Sequence, residues 1–109
     1  MDNKEIYLLH ANICKALGHA IRIEIIDTLQ NNEMSFGEIL EKIGGPKSSL
    51  SQHLSSMATK GILAQRKEGL SVYYKLSSEK VAIACRIMRE VLIENMKKHQ
   101  NLINNLQNN

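Results

Sequence analysis

The sequence predicts one mainly α-helical domain with a small β-hairpin, in which a helix-turn-helix is followed directly by a wing. Three observations carry that expectation. Leu50, Leu54 and Met57 recur at i, i+4 and i+7, a one-sided apolar stripe behind a face of small polar groups. Upstream, Ser35-Phe36-Gly37-Glu38 has the S-x-x-E form of a capping box, and Gly44-Gly45 supplies a tight turn between two short helices. Downstream, Glu68-Gly69 marks a turn ahead of Val72, Tyr73 and Tyr74, which are strong strand formers.

In chain order, residues 2–17 form a first helix striped by Ile6, Leu9, Ile13 and Leu17, with Tyr7 and Cys14 beside the stripe and Gly18 ending it. A second helix, about residues 19–30, turns Ile25, Ile26 and Leu29 inward, with Ile21 one turn earlier, until Asn31-Asn32 breaks it. The third starts at Phe36 and lasts barely two turns, with Ile39, Leu40 and Ile43 facing the core. The fourth takes Pro46 as its first helical residue, where a missing N–H costs nothing, and ends near Lys60-Gly61. Residues 62–66 and 71–76 make the hairpin strands around a turn at 67–70, with Arg66 and Lys67 at the tip of the wing. Ser77 or Ser78 caps a long last helix that begins near Glu79 and reaches Asn101 or beyond. Val81, Ala84, Met88, Val91 and Asn95 line it, and Ile83, Ile87, Leu92 and Met96 broaden the seam. Residues 102–109, rich in Asn and Gln, are expected to fray.

At 109 residues the chain reads as a single domain, residues 1–109, with little core for its two apolar terminal helices. Burying those helices in a two-fold homodimer is the economical arrangement. A hydrophobic content of 43 % excludes a disordered chain. No apolar run approaches the roughly 18–20 residues of a membrane span, and the start MDNKE is unlike a signal peptide, so a cytoplasmic protein without a membrane partner is expected. Two cysteines, Cys14 and Cys85, are too few and too far apart for a secreted disulfide framework.

The net charge of +3 is unevenly spread, acidic over residues 1–33 and basic from residue 34 onward. A basic excess around the Ser-rich helix suits double-stranded DNA. Lys47, Ser48, Ser49, Ser51 and Gln52 are compact hydrogen-bonding groups able to reach bases and phosphates in a major groove. An ordinary solvent-facing helix would carry Glu/Lys pairs instead. Arg66 and Lys67 suit a phosphate backbone or a minor groove.

These pieces together resemble the ArsR/SmtB family of winged-helix repressors, over roughly residues 14–95. Ala16-Leu17-Gly18-His19-x-x-Arg22 is similar to that family's A-L-G-H-P-x-R segment, with Ala20 where proline is usual. Ser35-x-x-Glu38-Ile39 resembles its S-V-x-E-L helix start, and Ser48-Ser49-Leu50-Ser51-Gln52-His53-Leu54 its S-T-V-S-x-H-L recognition helix. Gly61-Ile62-Leu63 and Arg66-x-x-Gly69-x-x-Val72-Tyr73-Tyr74-x-Leu76 are similar to its wing. The resemblance implies a homodimer joined through its first and last helices, bound to an inverted-repeat operator as a repressor. Lys47, Ser48, Ser49, Ser51 and Gln52 carry over as DNA contacts, with Arg66 and Lys67 on the wing. His53 carries over either as a base or phosphate contact or as a residue that packs and hydrogen-bonds across the helix pair. Arg22 carries over as a stabiliser of the fold, and Tyr73 and Tyr74 as one core residue and one backbone or wing contact.

Many members of that family respond to metals or oxidants. One familiar metal site needs a C-x-C pair where this chain has Ser35, Phe36 and Gly37, and another needs Asp and His along the last helix. Here that helix offers Glu79, Glu90, Glu94 and His99 without an i, i+3 His pair, so no metal site and no cofactor are expected. Cys14 and Cys85 are the sensor candidates, with Lys15 and Arg86 beside them to favour thiolates. They lie on the two helices that the family packs together. They could pair by oxidation or reactive sulfur, or bind a thiophilic metalloid that wants a third ligand. The plain alternative is that both are small buried hydrophobes, the inducer being some other ligand. No spacing of catalytic groups points to an enzyme: Ser51 and His53 lack a third partner. The other reading is a winged-helix module that binds protein.

Overall fold

In the computed structural model, which describes residues 2–108, five helices and three short strands surround one apolar core. Helix α1 (Asn3–Leu17) opens on Asp2, whose carboxylate accepts from the Glu5 N–H at 2.8 Å. It ends at Gly18 with φ −80°, so this glycine closes the helix without using its left-handed freedom. Helix α2 (Ala20–Leu29) places Ile25, Ile26 and Leu29 in the core and stops at Gln30, φ 50°. A two-residue strand, β1 (Met34–Ser35), comes next; periodicity did not announce it, because two residues are too few to alternate.

Helix α3 (Phe36–Ile43) starts with the expected capping box. The Glu38 N–H donates to Ser35 Oγ at 3.1 Å, and the Ser35 N–H donates to Glu38 Oε1 at 3.0 Å. The Ser35 backbone N–H, then its hydroxyl, hold the Glu38 carboxyl below its ordinary range. Gly44 and Gly45, at φ 77° and 80°, turn the chain through a conformation that side chains rarely adopt. Helix α4 (Lys47–Thr59) follows. Pro46 is its N-cap, with extended backbone at ψ 133°, and not its first helical residue as the sequence led us to expect. Leu50, Leu54 and Met57 are all buried, as their spacing predicts.

Strands β2 (Leu63–Glu68) and β3 (Ser71–Leu76) pair antiparallel, with Leu63 opposite Leu76 and Glu68 opposite Ser71. The first strand therefore continues to Glu68, past its expected end at Arg66, and the turn is Gly69-Leu70 alone. Gly69, φ 60°, takes the first turn position, where a two-residue hairpin matches the strand twist. β1 pairs along the other edge of β3, Met34 opposite Tyr74, giving the order β1-β3-β2.

Helix α5 (Glu79–Gln107) is capped by Ser78, whose hydroxyl accepts from the Lys80 N–H. It touches the core near its start, through buried Ala82 with Val81 and Cys85 beside it. Of the expected seam, Ala84, Met88 and Val91 are exposed. The stretch expected to fray is helical as far as Gln107, and Gln100 donates to Asn104 Oδ1 at 3.0 Å across one turn. At 1.5 Å per residue the helix is about 43 Å long, within a molecule whose longest dimension is 65 Å. Among the described residues no helix is long and apolar enough to cross a membrane.

Candidate nucleic-acid interface

Helix α4 is two-sided. Leu50, Leu54 and Met57 fasten one side to the core, and Lys47, Ser48, Ser49, Ser51 and Gln52 stand exposed on the other. An open hollow of about 420 Å³ lies between Ser51 and the wing residues Leu70, Ser71 and Val72. The small side chains leave the helix backbone within reach of whatever lies against it, and Lys47 stands at its N-terminal end.

His53 faces inward, half-buried. Arg22 Nε donates to its Nδ1 at 3.0 Å, and Arg22 Nη1 donates to the Ala16 carbonyl at 3.1 Å. Of its two roles left open by the sequence, this geometry realises the bond across the helix pair. Burial first, then the Arg22 charge and His19, push its pKa below the ordinary 6.5. Arg22 accordingly ties α2 both to α4 and to the end of α1.

The wing differs from expectation at Arg66. It does not stand at the tip but faces Tyr73 across the hairpin, with its guanidinium carbon 4.4 Å from that ring's centroid. Two carboxylates hold it: Glu33 Oε1 lies 2.7 Å from Nη2 and Glu68 Oε2 lies 2.7 Å from Nη1. The hydrogen bond from Arg66 pulls the Glu33 carboxyl below its ordinary range. Lys67 is exposed, and Leu70 at the tip is fully so. Tyr74 is the core residue of the pair, with burial pushing its phenol up, and Tyr73 is half-buried on the wing face. Glu33 and Leu70 were not singled out from the sequence. A leucine inside a glycine turn was a legible signal; Glu33 had none, since it meets Arg66 only because β1 pairs with β3.

Both cysteines line one apolar cleft of about 600 Å³ between α1 and α5. His10, Cys14 and Leu17 form one wall, and Cys85, Met88 and Leu92 the other. Both thiols are free, Cys14 exposed and Cys85 half-buried. Burial pushes the Cys85 thiol up, and the cation acting against this is Arg89; the expected help from Arg86 is not what governs it. Among the described residues no group of three or more His, Cys, Asp or Glu could hold a metal ion.

Comparison with known proteins agrees with this architecture. The family model described as "Bacterial regulatory protein, arsR family" matches residues 19–64. An uncharacterised HTH-type transcriptional regulator of Mycobacterium tuberculosis, Rv0081, is 32 % identical over 93 residues, covering 84 % of this chain and 82 % of that protein. The biofilm growth-associated repressor of Xylella fastidiosa is 35 % identical over 72 residues, 66 % of this chain and 63 % of its own. The crystal structure of Rv0081 superposes with a TM-score of 0.77 at 30 % identity, covering 86 % of this chain and 95 % of that one. The solution structure of the homodimeric winged helix-turn-helix DNA-binding domain of Mb0332 from Mycobacterium bovis gives 0.74 at 28 % identity, covering 86 % and 88 %. The chain, with its capped α3, its two-sided α4 and its three-stranded wing, belongs to the ArsR family of bacterial transcriptional regulators.

Proposed function

We propose that this protein is a homodimeric repressor that binds double-stranded DNA at an inverted repeat. The observation that carries this reading is the two-sidedness of α4, small polar groups outward and Leu50, Leu54 and Met57 in the core, with the wing across an open hollow. In this reading Ser48, Ser49, Ser51 and Gln52 meet base edges and phosphates in the major groove. Lys47 and Lys67 meet phosphates, while Arg66 steadies the wing. Among the described residues, Ile23 and Leu70 apart, the exposed large hydrophobics lie on α1 and α5, among them Ile6, Leu9 and Ile13 on one and Ile87, Met88 and Leu92 on the other. Pairing two copies through those faces brings the two α4 helices to successive major grooves, about 34 Å apart. The homodimeric Mb0332 domain and the Xylella repressor support pairing and repression.

The test is fluorescence anisotropy with the DNA upstream of the protein's own gene against a random duplex, together with transcript levels in a deletion strain. Preference for the upstream DNA, steep weakening with salt and a rise in transcript on deletion are expected. Absence of preference refutes the reading, a fall in transcript makes the protein an activator, and salt-indifferent attachment to a protein makes it an interaction module.

The cleft between α1 and α5 is the proposed inducer site, because both thiols line it. An oxidant that takes two electrons and two protons from Cys14 and Cys85 would leave a disulfide pinning the two helices. A reactive sulfur species or a thiophilic metalloid would act on the same pair. The half-burial of Cys85, which pushes its thiol up, favours a second reading in which Cys85 only packs and the inducer is another ligand. Release of the wild type by oxidant, but of neither Cys14→Ser nor Cys85→Ser, supports the switch. Equal binding by all forms under every treatment leaves packing and a different inducer.

A further inference from the structure

Three segments meet behind α4. Arg22 of α2 bonds at once to His53 Nδ1, at 3.0 Å, and to the carbonyl of Ala16, which is buried in the last turn of α1. His19, the N-cap of α2, sets its ring 5.8 Å from that of His53. Arginine has no lone pair to offer, so His53 accepts at Nδ1 and carries its proton on Nε2. A second proton would go to Nδ1, where it removes the acceptor and sets an imidazolium against the guanidinium. The charged and titratable groups facing His53 are Arg22 and His19, and neither is a carboxylate that would compensate.

We infer that Arg22 and His53 are the positioning pair of the DNA-reading helix, and that a proton on His53 loosens α4 from α2 and α1 and weakens DNA binding. The inference rests on the proposed reading role of α4. His53 follows Gln52 directly and lies one turn beyond Ser49, so movement of this turn displaces both proposed contacts. Base readout tolerates displacements of only about 0.5 Å. Burial and the two neighbours keep the ring neutral in the native geometry, since they push its pKa below 6.5. The sign follows: the native state binds fewer protons here than the unfolded chain, so the bond's support is complete above about pH 6.5 and is lost as pH falls through the lower value of the folded ring. A histidine that touched a phosphate would have the opposite sign, because its protonation strengthens DNA binding.

The experiment is anisotropy at fixed ionic strength from about pH 7.5 down through the protonation of His53, followed in the nitrogen-15 spectra of its ring, on upstream and random duplexes. Wild-type affinity for the upstream duplex is expected to fall about tenfold, the scale of one lost hydrogen bond to a charged group. His53→Gln, whose amide oxygen can accept from Arg22 but does not titrate, is expected to give a level profile, whatever its affinity. His19→Gln is expected to keep the fall. Wild-type binding that tightens or stays level, a fall that persists in His53→Gln, or one abolished by His19→Gln overturns the inference. Nitrogen-15 spectra of the wild-type ring judge the pair without any variant or DNA. A bare, hydrogen-bonded Nδ1 at about pH 7.5 is expected, and a protonated Nδ1 refutes the pair. If no upstream preference exists at the higher pH, the function fails while those spectra still decide the pair.

Discussion

Arg66 offers the sharpest check on how the wing meets DNA. Glu33 and Glu68 each approach its guanidinium to 2.7 Å, so on this face of the wing two carboxylates more than offset the single charge of Arg66. A counterion-release slope counts the phosphates neutralised, at about 0.9 per contact. If Arg66 already serves its carboxylates, Arg66→Ala leaves the slope of log affinity against log salt unchanged. Releasing it should do the opposite. The double variant Glu33→Gln, Glu68→Gln gives each wing one new phosphate contact, which steepens the slope by about 1.8 for a two-winged dimer. Over a fourfold change, from about 50 to about 200 mM salt, the variant's advantage over wild type would shrink about 12-fold. Anisotropy titrations on one duplex at four salt concentrations read this directly. A slope that flattens by about 1.8 in Arg66→Ala would show that Arg66 already binds phosphate and would refute the reasoning.

Other perturbations test the remaining links. Leu54→Ala removes a fully buried side chain from the back of α4 and is expected to cost about 3 kcal/mol, read by urea denaturation. Ser35→Ala opens the capping box and is expected to cost about 1 kcal/mol. The same box makes stability pH-dependent: the Glu38 carboxyl is held below its ordinary 4.5, so its contribution is complete above that value and is lost as pH falls through the lower folded one. Glu38→Gln should flatten that acid limb in thermal melts. Met88→Glu with Leu92→Glu places charge on the exposed face of α5 and should leave a folded monomer by light scattering, with operator affinity much reduced; a persistent dimer would move the interface elsewhere.

Local signals and long-range ones were not equally legible. The stripe of α4 and the Ser35–Glu38 box could be read because the residues that make them lie within three or four positions of each other. Strand β1 could not, since Met34 and Ser35 extend only because β3 offers them an edge. Glu33 and Arg22, the distant partners of Arg66 and His53, lie 33 and 31 residues away from them, and no spacing rule links either pair. The end of α5 was misjudged for a different reason. Asn is a weak helix former, but Gln is a good one, Leu102 and Leu106 keep a helical spacing among them, and Gln100 bonds to Asn104.

Helix α5 is anchored near one end. Ala82 is its buried residue, and Gln107 lies 25 residues beyond it, about 38 Å along the axis. A pivot so close to the domain turns the rest of the helix into a lever. A tilt of about 10° at Ala82 would sweep the far end through about 6 to 7 Å, roughly the rise of two base pairs. In the proposed dimer the same rotation works in reverse: with the paired helices held together, it swings the two heads that carry α4. Small adjustments in the cleft beside Cys85 would then set how far apart those heads stand, without bending any helix or disturbing either core.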